Sequence, residues 1–212
     1  MRKPILILSL IFTVTLSPNV VMSETVKYED LVERDGLYYK KFSDVPFTGK
    51  TTGKTQGTFK NGKKDGPYVR YHKNGQLFLK TNYKDGKRDG PYIRYYDNGR
   101  LSSKGKQKDG KQEGPHVTYH RNGQLQTKGT FKDGKNEGPY EQYWENGQVM
   151  FKGTYKDGKQ EGLGVMYHNN GQLWFKGTYK DDKEEGPWVF YYNDGTVDEK
   201  RTGTYKNGVK VK

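Results

Sequence analysis

Aromatic and apolar positions recur along this chain at a fixed interval of 24 residues. Each interval is marked by an opening glycine, by a tyrosine five residues later and by a second glycine four residues after that tyrosine. The opening glycines are Gly66, Gly90, Gly114, Gly138, Gly162 and Gly186, and the tyrosines are Tyr71, Tyr95, Tyr119, Tyr143, Tyr167 and Tyr191. A period of this length is typical of arrays in which each unit buries its apolar face against its neighbours.

The first complete unit, residues 66–89, has the pattern of a β-hairpin. Residues 67–72 are β-branched and aromatic, and the Lys-Asn-Gly sequence at 73–75 favours a turn. Residues 76–83 form a second predicted strand, and the Lys-Asp-Gly-Lys sequence at 84–87 turns the chain again. Because the recurring Gly-Pro steps forbid helical continuation, the pattern predicts an all-β chain of repeated 24-residue hairpins.

The register of the hairpin follows from which positions must face each other. A two-residue Asn-Gly turn would place the tyrosine column opposite Phe78, Ser102, Gln126, Met150 and Trp174. A three-residue loop, with Gly75 in a left-handed bulge position, places it instead opposite Leu77, Leu101, Leu125, Val149, Leu173 and Val197. Only the second register pairs an apolar side chain with every tyrosine, so we expect the bulged hairpin.

Simple alternation along the strands then predicts two faces. The odd positions Val69, Tyr71, Leu77, Leu79 and Tyr83 would form the structural face. The even positions would form a variable, half-aromatic face for recognition, with Tyr68, Arg70, His72, Phe78 and Lys80 in the first unit and Trp144, Trp174 and Trp188 further along. The column of Gly57, Gly105, Gly129, Gly153 and Gly177 would let a neighbouring tyrosine ring lie over bare backbone, or let the sheet bend sharply.

The chain divides into four segments by composition. Residues 1–23 read as a signal peptide, 24–65 as an N-terminal cap with an irregular first repeat, 66–209 as six repeats with a C-terminal cap, and 210–212 as a tail. Three departures interrupt the pattern: Asp182 replaces a turn glycine, Gln107 replaces the Tyr or Phe of its column, and Leu163-Gly164 replaces Pro-Tyr. We interpret them as positions where neighbouring units pack less well.

The unit Gly-Pro-Tyr-x-x-Tyr-x-x-Asn-Gly-Gln-Leu-x-x-Lys-Gly-x-Tyr-Lys-Asp-Gly-Lys, read from residues 138–159, resembles the MORN repeat in its bacterial variant form. The resemblance covers roughly residues 36–212 and keeps its phase through six units. It implies an elongated, open, single-layer antiparallel meander. Bacterial proteins of this variant are commonly labelled antitoxin components, and eukaryotic relatives are associated with membranes, phosphoinositide kinases or protein scaffolding.

The first residues predict export. Arg2 and Lys3 precede the uncharged run from Ile5 to Leu16, and Ser23 offers a small residue for cleavage. Pro18 and Asn19 end that run before the roughly 20 residues that a membrane span needs. We therefore expect a periplasmic or extracellular protein, which fits poorly with a cytoplasmic antitoxin role. The chain contains no cysteine, so neither disulfides nor thiolate metal sites can hold its fold.

The charge and composition of the chain are compatible with more than one kind of partner. The formal charge falls from +13 to +11 when Arg2 and Lys3 leave with the signal segment. An acidic partner would explain this excess, and so would lysines that solubilise the turns and discourage edge pairing. Only 30% of residues are apolar, which suits a thin sheet faced with aromatic rings rather than a thick core.

The residue pattern indicates neither a catalytic nor a metal site. His72, His120 and His168 share one column two units apart, near 19 Å from one another at about 4.8 Å per strand, too far to share a metal. Carboxylates such as Asp85 and Asp89 repeat in every turn, as expected of turn formation and neutralisation of lysine. No phosphate loop or nucleophile motif is present, so we expect no enzyme and no cofactor.

Two functions remain open from the sequence. The first is a scaffold that binds a protein partner at the cell envelope through Tyr140, Trp144, Trp174 and Trp188. The second is a binder of cell-wall polysaccharide or of an anionic membrane surface, since stacked aromatic rings suit sugars and the chain is basic. Export argues against nucleic acid as a partner, and the absence of a catalytic pattern argues against a small-molecule substrate.

Overall fold

The computed structural model describes residues 23–212, so most of the predicted signal peptide lies outside the described residues. Apart from a short 3-10 turn at Tyr28–Asp30, all regular secondary structure in this part of the chain is β. The strands are β1 Glu24–Lys27, β2 Leu31–Arg34, β3 Leu37–Lys40, β4 Gly49–Thr52, β5 Thr55–Lys60, β6 Lys63–Tyr71, β7 Leu77–Lys84, β8 Lys87–Arg88, β9 Gly90–Tyr95, β10 Leu101–Lys108, β11 Lys111–Gln112, β12 Gly114–Tyr119, β13 Leu125–Lys132, β14 Lys135–Asn136, β15 Gly138–Tyr143, β16 Val149–Lys156, β17 Lys159–Gln160, β18 Gly162–Tyr167, β19 Leu173–Lys180, β20 Lys183–Phe190, β21 Gly203–Lys206 and β22 Val209–Lys210.

The strands form a long, open antiparallel meander of hairpins, which confirms the predicted fold class. From β4 onward each long strand pairs with the long strand before it and the one after it, while β1 adds to β4 in parallel. The hairpin of β2 and β3 forms a separate small sheet. In the regular units a two-residue strand such as β8 extends the turn between consecutive hairpins.

The bulged hairpin register is confirmed. Tyr71 lies opposite Leu77, and the five later tyrosines lie opposite the expected apolar residues. In the first unit the Gly75 N–H donates to the carbonyl of His72 (3.0 Å), and Gly75 adopts φ +87°. The other turn has positive φ at both Asp85 and Gly86, the geometry that matches the twist of a tight hairpin.

The prediction of the two faces was wrong for the second strand of each hairpin. Tyr68 pairs with Thr81 and Arg70 with Leu79, but the pairing then shifts by one residue, so that Tyr71 meets Leu77. The bulge at Phe78 therefore reverses the inward–outward alternation. Even positions of the first strand share a face with odd positions of the second.

We name the two faces by their members in the first unit. The aromatic face comprises Tyr68, Arg70, Leu79, Thr81 and Tyr83 and their counterparts in later units, and it contains the core. The proline face comprises Pro67, Val69, Lys80 and Asn82 and their counterparts. Because the sheet is a single layer, its core consists of side chains packed on one surface.

Aromatic pairs form the core on the aromatic face. The Tyr68 and Tyr83 ring centroids are 5.1 Å apart, and those of Tyr179 and Trp188 are 4.8 Å apart, both edge to face. Fully buried side chains include Phe59, Leu79 and Trp188. The rings of this sheet thus stabilise one another where a second layer is absent.

The glycine column lies beneath these rings, as the first of the two predicted alternatives requires. A Cβ built on Gly129 would stand 2.8 Å from Cδ2 of Tyr140, and one on Gly177 would collide with three atoms of the Trp188 indole. Each ring therefore lies over the bare backbone of the preceding unit. Only glycine leaves that space.

Two columns of side chains join each unit to the next. An aromatic donor bonds the backbone carbonyl 23 residues ahead, through His72 to Tyr95 (3.0 Å), Tyr96 to Tyr119 (2.6 Å), His120 to Tyr143 (2.9 Å), Trp144 to Tyr167 (3.2 Å) and His168 to Tyr191 (3.1 Å). Asparagine amides do the same, through Asn74 to Asp97, Asn98 to Arg121, Asn122 to Glu145, Asn146 to Asn169 and Asn170 to Asn193. We call these bonds the inter-unit ladder.

The asparagine has a second bond inside its own turn. Asn146 Oδ1 accepts the backbone N–H of Gln148 (3.0 Å), while its amide donates to the next unit. The sixth unit has Asp194 at this position, which keeps the bond inside the turn to the N–H of Thr196 (2.9 Å). A carboxylate cannot donate, and the regular 24-residue pattern ends with this unit.

We expect Asn146→Asp to lower the free energy of unfolding by about 1 kcal/mol, because it keeps the turn acceptor and removes one inter-unit hydrogen bond. The matched control Asp194→Asn should change it by less than about 0.5 kcal/mol. Urea denaturation followed by circular dichroism measures both. Equal effects of the two substitutions would show that the ladder contributes nothing.

A methyl group added to a glycine of this column should lower the free energy of unfolding, and the loss should be larger where the ring above the glycine is closer and more deeply buried. We expect Gly177→Ala to cost roughly 3 kcal/mol, because the buried Trp188 ring has nowhere to move. At Gly105 the nearest atom is Cδ2 of His116 at 3.0 Å, so Gly105→Ala should cost under about 1 kcal/mol. The two thermal unfolding curves test this order, and the reverse order would contradict it.

Candidate binding faces

The four aromatic residues predicted as an interaction surface do not form one patch. Trp144 and Trp174 lie at the bulged turns of neighbouring units, whereas Tyr140 and Trp188 lie further along their strands. Trp188 is 1% exposed, so its expected place on an accessible face is wrong. It is buried because the bulge puts its strand position on the aromatic face, where Phe175, Phe190 and Tyr179 surround it.

The other three aromatic side chains are half-buried and have internal partners. Tyr140 packs edge to face on Tyr155 at 5.3 Å, and burial raises the pKa of its hydroxyl. Trp144 donates its indole N–H within the inter-unit ladder. Trp174 stacks on His168 with the ring centroids 5.3 Å apart. Each ring thus has a structural role.

The histidine column has a role that sequence reasoning missed. His72, His120 and His168 share their column with Tyr96 and Trp144, and every one of these side chains is an aromatic ring with a polar hydrogen. This shared property is the feature of the sequence from which the hydrogen-bonding role of the column could have been predicted. Within residues 23–212 no group of three histidines or carboxylates is close enough to hold a metal ion.

The repeated carboxylates support the turns. In five of the six units the acid before the opening glycine accepts the backbone N–H of the next turn, as Glu137 does from Asp157 (2.9 Å) and Glu161 from Asp181 (3.1 Å). Lys159 lies 3.0 Å from Asp181, and this hydrogen bond holds the pKa of the Asp181 carboxyl below its usual value. The turn edge therefore carries both signs of charge.

The proline face presents the same exposed groups in every unit. Its outermost stripe consists of exposed side chains at Pro67, Pro91, Pro115, Pro139, Leu163 and Pro187. Beside it lies a row in which exposed lysines alternate with half-buried residues, in the order Val69, Lys80, Ile93, Lys104, Val117, Lys128, Glu141, Lys152, Val165, Lys176 and Val189. The two rows together form a regular apolar and cationic surface.

Shallow grooves separate the prolines of successive units. Three of them have volumes of about 370, 300 and 360 Å³ and include the glycines Gly105, Gly129 and Gly153. Each groove is bordered by a lysine stem and a branched aliphatic side chain, as Lys104 and Val117 border the first. The same concave site is thus available at least three times.

Only one lysine of this row has a carboxylate partner among the described residues. Lys128 Nζ lies 3.1 Å from Glu141, the one acid in the aliphatic column, and hydrogen bonds to Glu141 and Tyr143 raise the pKa of Lys128.

No helix within residues 23–212 is long and apolar enough to cross a membrane.

Comparison with known proteins identifies the family of the repeat. The sequence model of the MORN repeat variant family matches residues 64–85, 88–109, 112–133, 136–157 and 160–181, together about half of the chain. These matches cover five of the six predicted units, offset by two residues from the opening glycines. A search of curated proteins found no match to the chain. The 24-residue hairpins and the family match agree, and the chain belongs to the MORN repeat variant family.

Proposed function

We propose that this protein is an exported, non-enzymatic scaffold that binds a protein partner at the cell envelope through its proline face. The observation that carries the proposal is the repeated surface itself, in which five exposed prolines and one exposed leucine lie beside a row of exposed lysines. MORN repeats generally serve as binding or scaffold units, which agrees with this role. The predicted export signal argues against a cytoplasmic antitoxin role.

The apolar part of the proline face favours a protein partner. Leu163 is 61% exposed, and the prolines of the other units are exposed at the same position. Apolar groups repeated on an accessible surface are costly to leave in water, and a contiguous set of them marks an interaction site. Two strands per unit space these groups roughly 10 Å apart, so an extended partner could meet several units.

The charge on the proline face indicates an acidic partner. Lys80, Lys104, Lys152 and Lys176 lack a carboxylate within salt-bridge distance among the described residues. Turn lysines such as Lys108 and Lys111, in contrast, lie beside Asp109 and Glu113. The proline face is therefore positively charged, and this charge steers association with acidic surfaces.

Two alternatives to this proposal can be distinguished by experiment, one with a different ligand and one with a different binding face. The same lysine row would serve the second candidate function, binding to an anionic membrane surface or an acidic wall polymer. The half-buried rings of Trp144 and Trp174, with Tyr140, would serve a partner that docks on the aromatic face instead. The interleaved prolines and valines favour the proline face, because a purely electrostatic contact needs no apolar groups.

The binding surface is tested by capture from envelope extract with immobilised protein, followed by titration of the purified captured partner. We expect a partner retained at about 0.3 M salt and lost in the double variant Lys104→Glu/Lys152→Glu. The matched control is Lys108→Glu/Lys156→Glu, which reverses the same charge in two turns. Equal loss in both variants would show that overall charge, and not the proline face, drives binding.

The tryptophan surface has its own variants. Trp144→His and Trp174→Met replace each ring by a residue already present in its column, at His120 and Met150, so the fold should be kept. Loss of the partner in these variants, with binding intact after Lys104→Glu/Lys152→Glu, would move the site to the aromatic face. A captured species that resists protease and is released by salt would identify a glycan or lipid as the ligand.

Export is tested by the intact mass of the secreted protein. We expect cleavage after Ser23, which gives a chain that begins at Glu24, the first residue of β1. A protein recovered from the cytoplasm with its first residues intact would contradict the envelope role and leave the binding surface unaffected. This measurement thus separates location from binding.

A further inference from the structure

The core of the aromatic face is interrupted in its second and third units. Where the first unit has Phe78 and Leu79, the second has Ser102 and Ser103 and the third has Gln126 and Thr127. Apolar residues return in the fourth and fifth units, at Met150, Phe151, Trp174 and Phe175. The polar stretch lies in the middle of an otherwise aromatic surface.

One ring is missing at the same place. In four units the ring in the column of Tyr68 packs on a second ring across its own hairpin, in the pairs Tyr68–Tyr83, His116–Phe131, Tyr140–Tyr155 and Trp188–Tyr205. The second unit has Gln107 where this partner of Tyr92 would be. A cavity of about 410 Å³ opens there, a volume typical of ligand sites.

Two residues that line the cavity have polar atoms that nothing in the described protein satisfies. Arg94 Nε and Gln107 Oε1 are buried, and neither has a hydrogen-bond partner among residues 23–212. Both residues line the cavity, and an unpaired buried polar atom costs free energy, so the packing beside the missing ring is unfavourable. The amide of Gln112 donates to the Tyr92 hydroxyl (2.9 Å) and fixes the cavity wall.

The charge of the cavity is positive. Arg88 and Arg94 both line it, and among its described lining residues none carries a carboxylate. The Arg94 guanidinium lies 5.7 Å from the centre of the Phe78 ring, which holds it at the cavity edge. Burial, and to a lesser extent Arg94, lower the pKa of His116, which favours the neutral imidazole.

We propose that this cavity binds the carboxylate and hydroxyl groups of a uronate sugar residue. Arg88 and Arg94 give the cavity the positive charge that favours a carboxylate, which arginine binds through paired hydrogen bonds. Ser102 and Gln126 line the cavity and offer hydroxyl and amide partners for the hydroxyl groups of the sugar. The site lies on the aromatic face, so it is independent of the protein partner proposed for the proline face.

Isothermal titration calorimetry at pH 7 tests the ligand with D-glucuronate, D-glucose and inorganic phosphate as probes. We expect D-glucuronate to bind at least about tenfold more tightly than either control, since glucose lacks the carboxylate and phosphate lacks the ring hydroxyls. If a glucuronate-containing oligosaccharide binds more tightly than D-glucuronate, the ligand is part of a polymer. If the two bind with equal affinity, the ligand is the free sugar. Equal affinity for all three small probes, or no binding of D-glucuronate, would overturn the proposal.

Three variants locate the site. Arg94→Gln should weaken D-glucuronate binding by about tenfold or more, because it removes a charged donor. Arg70→Gln is the matched control: Arg70 occupies the same column one unit earlier, also over Phe78, but it does not line the cavity. It should leave affinity within about twofold. Equal loss in the two variants would refute a defined site.

Filling the cavity separates binding from folding. Gln107→Tyr restores the ring found at Tyr83 and Tyr155, so we expect binding to be abolished while the thermal unfolding midpoint stays equal or rises. A folded Gln107→Tyr protein that still binds D-glucuronate with unchanged affinity would place the ligand elsewhere and overturn the proposal.

Discussion

The fold depends on the bonds that hold each hairpin to the next at a fixed spacing. A single-layer sheet has no second layer to align its strands, so the alignment must come from contacts between units. An aromatic donor and an asparagine amide in each of the first five complete units reach the backbone carbonyl 23 residues ahead. This geometry requires a constant repeat length, which explains why the 24-residue phase is kept while other columns vary.

The same constraint determines how the core is built. Each unit contributes a strip of side chains to one surface, and the rings of neighbouring units must cover one another to exclude water. Glycines beneath Tyr140 and Trp188 bring ring and backbone into contact. The core is therefore long and thin, and a single substitution such as Gln107 opens it locally without disturbing the ladder.

The two faces present different kinds of surface for this reason. The proline face takes no part in the core, so its residues can repeat an exposed apolar and cationic pattern along the array. The aromatic face is committed to packing, and a departure from its pattern produces a defined cavity at one place. A repeated surface suits an extended partner, whereas a single cavity suits a compact ligand.

The sequence by itself determined the hairpins, their turns and the opposition of Tyr71 and Leu77, because turn chemistry and pairing act between residues close in the chain. Only the tertiary structure decided which face each side chain joins. The one-residue bulge at Phe78 reverses the alternation, so strict alternation misplaced Leu79 and the buried Trp188. The roles of Trp144 and Gln107 also depend on residues in neighbouring units, whose approach is set by the stacked sheet and not by local sequence.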